Sequence, residues 1–274
     1  MKAALYLVLT LFCTSVSAEN LSDLFYKAHV AYKKHRYDEC AKQYVEIIQK
    51  GSKDPDAIYN AAGCFALGGK FDSAFEYLSK MCAGDFVDIQ GFIREPDFLP
   101  LHKETRWQAA LDQCRQAEKN HISRGNVRLY QLYIVMLRFE THWVPENTEE
   151  VLKFISDKRL ESAEDYYHAA AILTGSIDPQ QLSLAHSLAQ KAVALKPNYI
   201  QAKGLAAIAY DRFLWSSKKP QVYGTQLYKN EKGEWTAEPF DPNGVSDDER
   251  AASNVLSLAG IKERLRIHNE EGIE

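Results

Sequence analysis

What the chain lacks narrows it first. Lys and Arg number 33 against 37 Asp and Glu, for a net charge of −4. Without a basic excess there is little to displace counterions from a phosphate backbone, so no nucleic-acid partner is expected. Nine prolines and fourteen glycines in 274 residues are too few for collagen or a low-complexity chain. Past the first residues, no apolar run approaches the length that crosses a bilayer, which excludes a polytopic membrane protein. The five cysteines include no C-x-x-C pair, which argues against a redox dithiol or a zinc knuckle. No G-x-S-x-G elbow is present. Gly68-Gly69-Lys70 lacks the rest of a phosphate-binding loop. No cofactor and no metal is expected.

The amino terminus reads as an export signal. Met1-Lys2 gives a short positive start, residues 3–12 are apolar, and Val16-Ser17-Ala18 puts small or aliphatic residues before a cleavage point at Glu19. Cys13 is no lipid-attachment site, because bulky Phe12 precedes it. Cleavage near Ala18 leaves Cys40, Cys64, Cys82 and Cys114. An even number in an oxidising compartment permits two disulfides. The mature chain is therefore expected to be periplasmic or secreted, with no transmembrane segment.

An internal repeat organises residues 21–82. Ala28-x-x-Ala31-Tyr32 with Tyr37-Asp38-Glu39-Cys40 is echoed by Ala62-x-x-Phe65-Ala66 with Phe71-Asp72-Ser73-Ala74. Tyr37 to Phe71 spans 34 residues, as does Cys40 to Ala74. This is the period of tetratricopeptide (TPR) repeats, which the segment resembles. Small residues at 28, 40, 62 and 74 let antiparallel helices approach. The aromatics at 37 and 71 open each second helix. Gly69 suits the left-handed end of a first helix. A degenerate third unit follows, with a short helix over 86–92, a turn at Glu95-Pro96-Asp97, and a helix over 105–117 that buries Trp107. In such a stack Cys40 and Cys64 face one interface, and Cys82 and Cys114 the next. The expected bridges are Cys40–Cys64 and Cys82–Cys114.

A second helical block runs over 121–214. Apolar residues recur at helical spacing over 126–140, Pro145 ends that segment, and short helices follow over 149–158 and from Ser162. Leu182-x-x-Ala185-x-x-x-Ala189-x-x-Ala192 and Pro197 again follow the TPR pattern. Beyond Asp211-Arg212 the pattern changes. Residues 219–228 read as a strand, 230–233 as a turn and Glu234-Trp235-Thr236 as the return strand of a hairpin. Ser246-x-x-Glu249 is a capping box that opens a helix running to about His268, interrupted near Gly260.

Residues 125–270 resemble a bacterial domain family of unknown function. The resemblance rests on Asp211-Arg212, Pro220-Gln221-x-Tyr223-Gly224-Thr225-Gln226 and Glu249-Arg250. It implies export or membrane association beside TPR or Sel1-like repeats, and no activity. The expected architecture is thus mostly α: a signal over 1–18, TPR-like repeats over 19–120, a second TPR-like block over 121–214, and a hairpin-plus-helix cap over 215–274.

Two sets of residues are candidates for function. In a TPR-like helical-hairpin solenoid, Phe25, His29, Tyr32 and Tyr59 would line the concave face, where a peptide or a partner helix binds. The chain is then a non-catalytic interaction scaffold or adaptor. Gly63 and Ala66 stand where a carboxylate clamp would need polar side chains. The second set is Asp211, Arg212, Gln221, Tyr223, Gln226, Glu249 and Arg250. These form either a structural network of arginine forks and amides, or the pocket of an enzyme or small-ligand receptor.

Overall fold

Short polar side chains set the helix starts. Asn20, Asp54, Ser162, Asp178, Ser246 and Ser257 each accept a hydrogen bond from a backbone N–H of the turn that follows, satisfying donors that a helix cannot pair internally. Pro55 and Pro179 stand directly behind two of these caps, where a missing N–H does no harm. The computed structural model describes residues 20–52, 54–84, 88–138 and 145–273. The expected signal over 1–18, and Phe86 and Phe139 of two expected helices, lie outside them.

Among the described residues the chain is mostly helical. Helices α1 (Leu21–Lys33), α2 (Tyr37–Gln49), α3 (Pro55–Leu67) and α4 (Phe71–Cys82) come first. Helix α5 (Ile89–Arg94), a 3-10 helix (Pro96–Lys103) and α6 (Trp107–Ile122) follow. The next group is α7 (Val127–Arg138), α8 (Pro145–Ser156), α9 (Ala163–Thr174), α10 (Pro179–Leu195) and α11 (Ile200–Ser216). The tail holds β1 (Tyr228–Lys229), β2 (Trp235–Thr236), α12 (Asp247–Ala252) and α13 (Leu258–Glu271). Each of α1 to α3 packs on the next, α6 packs on α4, and α9 packs on α7, α8, α10 and α11.

The 34-residue echo reaches the backbone. His35 and Gly69 are both left-handed, with φ of 56° and 71°. Behind them Arg36 N–H donates to the carbonyl of Ala31 and Lys70 N–H to that of Phe65, both at 2.9 Å. Each bond closes a helix end with a Schellman-type turn, so that Tyr37 and Phe71 can open α2 and α4. Lys70 pairs with Asp38 and Arg106 with Asp72, both at 2.8 Å. These exposed pairs contribute little, but they extend the same spacing into the third unit.

Two hydrophobic cores form. One gathers buried side chains from Leu24 to Cys114, including Ile47, Leu78, Phe92, Phe98 and Trp107. The other runs from Leu129 to Ala209 and is rich in alanine. Full burial of a side chain such as Leu78 contributes about 2–3 kcal/mol. Trp107 stacks on His102, with ring centres 4.4 Å apart, and meets Phe92 at 5.0 Å.

Several expected boundaries move. Pro145 opens α8 instead of ending the preceding segment, because proline fits the first turn of a helix as well as it blocks a later one. Helix α6 starts at Trp107 and continues to Ile122, past Ala117. Gly260 lies inside α13. The interruption falls at 253–257, where Asn254 is left-handed and Ser257 caps the new helix. The hairpin is reduced to a two-residue ladder, Tyr228 against Thr236 and Lys229 against Trp235. Residues 219–227 form no strand. Three of their N–H groups, those of Val222, Tyr223 and Thr225, are claimed by the distant Asp211 carboxylate, and a ladder-like bridge joins Gln221 to Phe240.

The tail also reaches further than a cap on the last helix. Gly204 of α11 lies under Asn254. At the other side Asn20 Nδ2 donates to the carbonyl of Val255 at 3.0 Å, Ser22 Oγ to Asn254 Oδ1 at 3.3 Å, and Ser257 N–H to Asp23 Oδ1 at 3.0 Å. Lys34 pairs with Glu271. The tail therefore joins α11 to α1.

Cys40 and Cys64 stand at disulfide distance with Cα atoms 6.0 Å apart, and Cys82 and Cys114 with Cα atoms 4.6 Å apart. The separations of 24 and 32 residues give each bridge about 3–4 kcal/mol in the chain-entropy account. Non-reducing peptide mapping should return these two pairs only. Replacing both cysteines of either pair with alanine should lower the unfolding free energy by that amount in urea titrations.

Candidate functional site

The polar signature of the tail is wound around one carboxylate. Asp211 on α11 is fully buried. Its Oδ1 accepts from the N–H groups of Val222 and Tyr223 at 2.9 and 3.0 Å, and its Oδ2 from the N–H and hydroxyl of Thr225, both at 2.9 Å. Charge-assisted bonds of this kind are the strong ones. The carbonyls of the same loop point to Arg250 on α12, also fully buried, which donates to Tyr223 at 2.6 Å and Val222 at 2.7 Å. Burial lowers the basicity of Arg250. Gly224 turns between them at φ +69°, where an added Cβ would lie 2.7 Å from Ile261; only glycine suits both the angle and the space.

The amides complete the loop. Gln221 Oε1 accepts from Gln226 N–H at 2.9 Å, while its Nε2 donates to the carbonyls of Gln226 and Ala237. Arg212 donates to the carbonyl of Ser176 at 3.3 Å and to Gln226 Oε1 at 3.5 Å. Glu249 is exposed and closes the capping box on Ser246. Most polar atoms of this set are thus engaged by one another and by the loop backbone.

The four aromatics of the first helices do not line one cavity. Tyr32 Oη donates to Asp97 at 2.9 Å and Tyr59 Oη to Glu95 at 2.7 Å, so the start of the 3-10 helix and the residue before it meet both. Burial and these carboxylates push both phenols well above their ordinary range. Phe25 and His29 line a first cavity of about 400 Å³ bordered by α1, the start of α3, residues 223–225, residues 254–256 and α13. Tyr59 lines a second, a groove of about 840 Å³ between the two helical cores. Asp56 lines both.

The groove carries an aromatic wall that the sequence reading passed over. Tyr133 stacks on His168 at 4.7 Å, meets Tyr167 at 5.6 Å, and Tyr167 meets Tyr199 at 4.9 Å. The hydroxyls of Tyr133 and Tyr167 are 3.3 Å apart. Lys196 bonds Glu164 at 3.1 Å and lies over the Tyr199 ring. Tyr133 and Tyr167 are 34 positions apart. That spacing is the signal that would have found them. His168 is 3 % exposed and its Nδ1 has no hydrogen-bond partner among the described residues. Burial, and the nearby His121, pull its pKa down to about 3. It is a neutral ring held among aromatics.

Among the described residues, no cluster of three or more His, Cys, Asp or Glu side chains could hold a metal ion. Replacing Asp211 with alanine should strand three inward N–H groups and cost more than about 3 kcal/mol in chemical denaturation, whereas Glu249→Gln should stay near wild type. The folded chain refuses a proton on His168 that the unfolded chain takes up below its ordinary pKa of 6.5. Stability contributed by the neutral ring is therefore present above pH 6.5 and lost on acidification toward pH 3. Against His168→Phe, the wild type should weaken by about 1.4 kcal/mol per pH unit across that window, and the two curves should run parallel above it. Compared with known proteins, the chain matches no family model, no curated protein and no solved structure.

Proposed function

We propose that this chain is an exported, non-catalytic interaction protein whose helices form a TPR-like solenoid and whose groove takes an extended peptide. The observation that carries the reading is the row of tyrosines, Tyr59, Tyr133, Tyr167 and Tyr199, along one groove of about 840 Å³. Ring faces bury large apolar area at low entropic cost, and phenol hydroxyls answer the amides of a passing backbone. Charges of both signs, including Lys80, Arg124, Asp88 and Glu164, line the same groove and would set polarity and register. Two cysteine pairs at disulfide distance fit an oxidising compartment, and no helix among the described residues is long and apolar enough to cross a membrane. The tail signature Asp211-Arg212, Pro220-Gln221 and Tyr223-Gly224-Thr225-Gln226 supports kinship with the bacterial family of unknown function that it resembles.

The test is selection of a randomised peptide display library on the immobilised mature protein. Peptides should be enriched over blank beads, and Tyr167→Ala and Tyr199→Ala should each weaken the selected peptides by about ten-fold or more, while the Tyr199→Ala melting temperature stays near wild type. No enrichment, or equal binding by both variants, would overturn the reading.

A further inference from the structure

The smaller cavity holds two opposite charges that do not neutralise each other. Several arginines of this chain are met by acids: Arg106 by Asp72, Arg115 by Asp112, Arg128 by Glu150. Arg264 on α13 is different. Its Nε donates to His268 Nε2 at 3.1 Å and its guanidinium lies 5.9 Å from the centre of the Tyr26 ring. Among the described residues no carboxylate pairs with it. The adjacent Glu263 is taken by Arg266, at 2.8 and 2.9 Å. Arg264 thus presents its terminal nitrogens without an anion in a partly enclosed space.

Asp56 is its counterpart. It stands in the first turn of α3 and lines the same cavity. No side chain or backbone donor binds its carboxylate among the described residues. Asp56 is exposed, and it stands where the cavity and the groove both border it. Asp54, which caps α3, brings a second carboxylate to the same wall and is itself held by Asp56 N–H and Gln201. Burial and this neighbour push Asp56 up to about 7. An incoming cation is the ordinary remedy for two crowded acids. Phe25, Ile208 and Leu256 supply apolar wall.

From this arrangement we propose that the cavity bounded by α1, α3 and α13 binds a small zwitterion, an α-amino acid or short peptide, with its ammonium on Asp54 and Asp56 and its carboxylate on Arg264. A ligand of one sign would satisfy one wall and leave the other charge without a partner. A wholly apolar ligand would leave both unmet. A volume of about 400 Å³ is of the size used by small-molecule sites. The inference does not rest on the peptide groove, which is a separate cavity.

The experiment is calorimetric titration of the purified mature chain with leucine, Leu-Ala and Leu-Ala-Leu, each unblocked, N-acetylated and C-amidated. At least one unblocked form should bind, and either block should weaken it by roughly ten- to hundred-fold, as expected for loss of a charge-assisted hydrogen bond. Arg264→Gln should weaken the unblocked form and leave the C-amidated one unchanged. Asp56→Asn should do the same with respect to the N-acetylated form. The blocked series on wild-type protein decides the matter even where a variant folds poorly. Equal binding of blocked and unblocked forms, or no heat from any of them up to about 10 mM, would overturn the proposal. Tyr167→Ala should bind the unblocked ligand as wild type does; loss there would place the ligand in the groove and overturn this assignment.

Discussion

The Asp211 carboxylate is the point on which the tail depends. A fully buried anion is tolerated only when its field is answered by donors in fixed positions, and here three backbone N–H groups and a hydroxyl supply them. Arg250 answers the carbonyl side of the same loop. Because N–H groups face one way and carbonyls the other, the loop is held as a dipolar layer between an acid on α11 and a base on α12. Gly224 is then brought against Ile261 and Phe240, which sets where α13 lies. Through α13 the effect reaches Asp23 and Asn20, and with them one wall of the smaller cavity.

How much was legible in the sequence follows from the range of each interaction. The helix pairs of residues 21–82 were readable because their signals are local: a left-handed site at Gly69, aromatics at Tyr37 and Phe71, and small residues one period apart. The cysteine pairing followed from that phase. Residues 219–227 misled because their composition suits a strand, while the acceptor that claims their N–H groups sits on another element, at Asp211. Pro145 was ambiguous locally, since proline both starts helices and stops them.

The candidate sites were legible in part for the same reason. Asp211, Gln221 and Arg250 stood out as polar residues in a segment that packs, and the structure shows what they hold. Phe25 and His29 were read as lining a face, and they line a cavity; Tyr32 and Tyr59 meet Asp97 and Glu95, which no helical periodicity announces. Asp56 and Arg264 drew no attention. Each is an ordinary charged residue on a helix, and only the return of the tail to α1 places them around one space.

That return has a mechanical consequence. Stacked helix pairs that touch only their neighbours lose structure from the ends inward, each terminal unit opening with little effect on the middle. In this chain Asn20 bonds to Val255, 235 positions away. A link over such a distance demands only slightly more closure entropy than one over half of it, yet it ties the first helix down. The first helix cannot fray without releasing Val255 and Ser257 of the tail. Opening of α1 is therefore coupled to opening of the tail, and the two behave less like a spring with loose coils than like a buckled band.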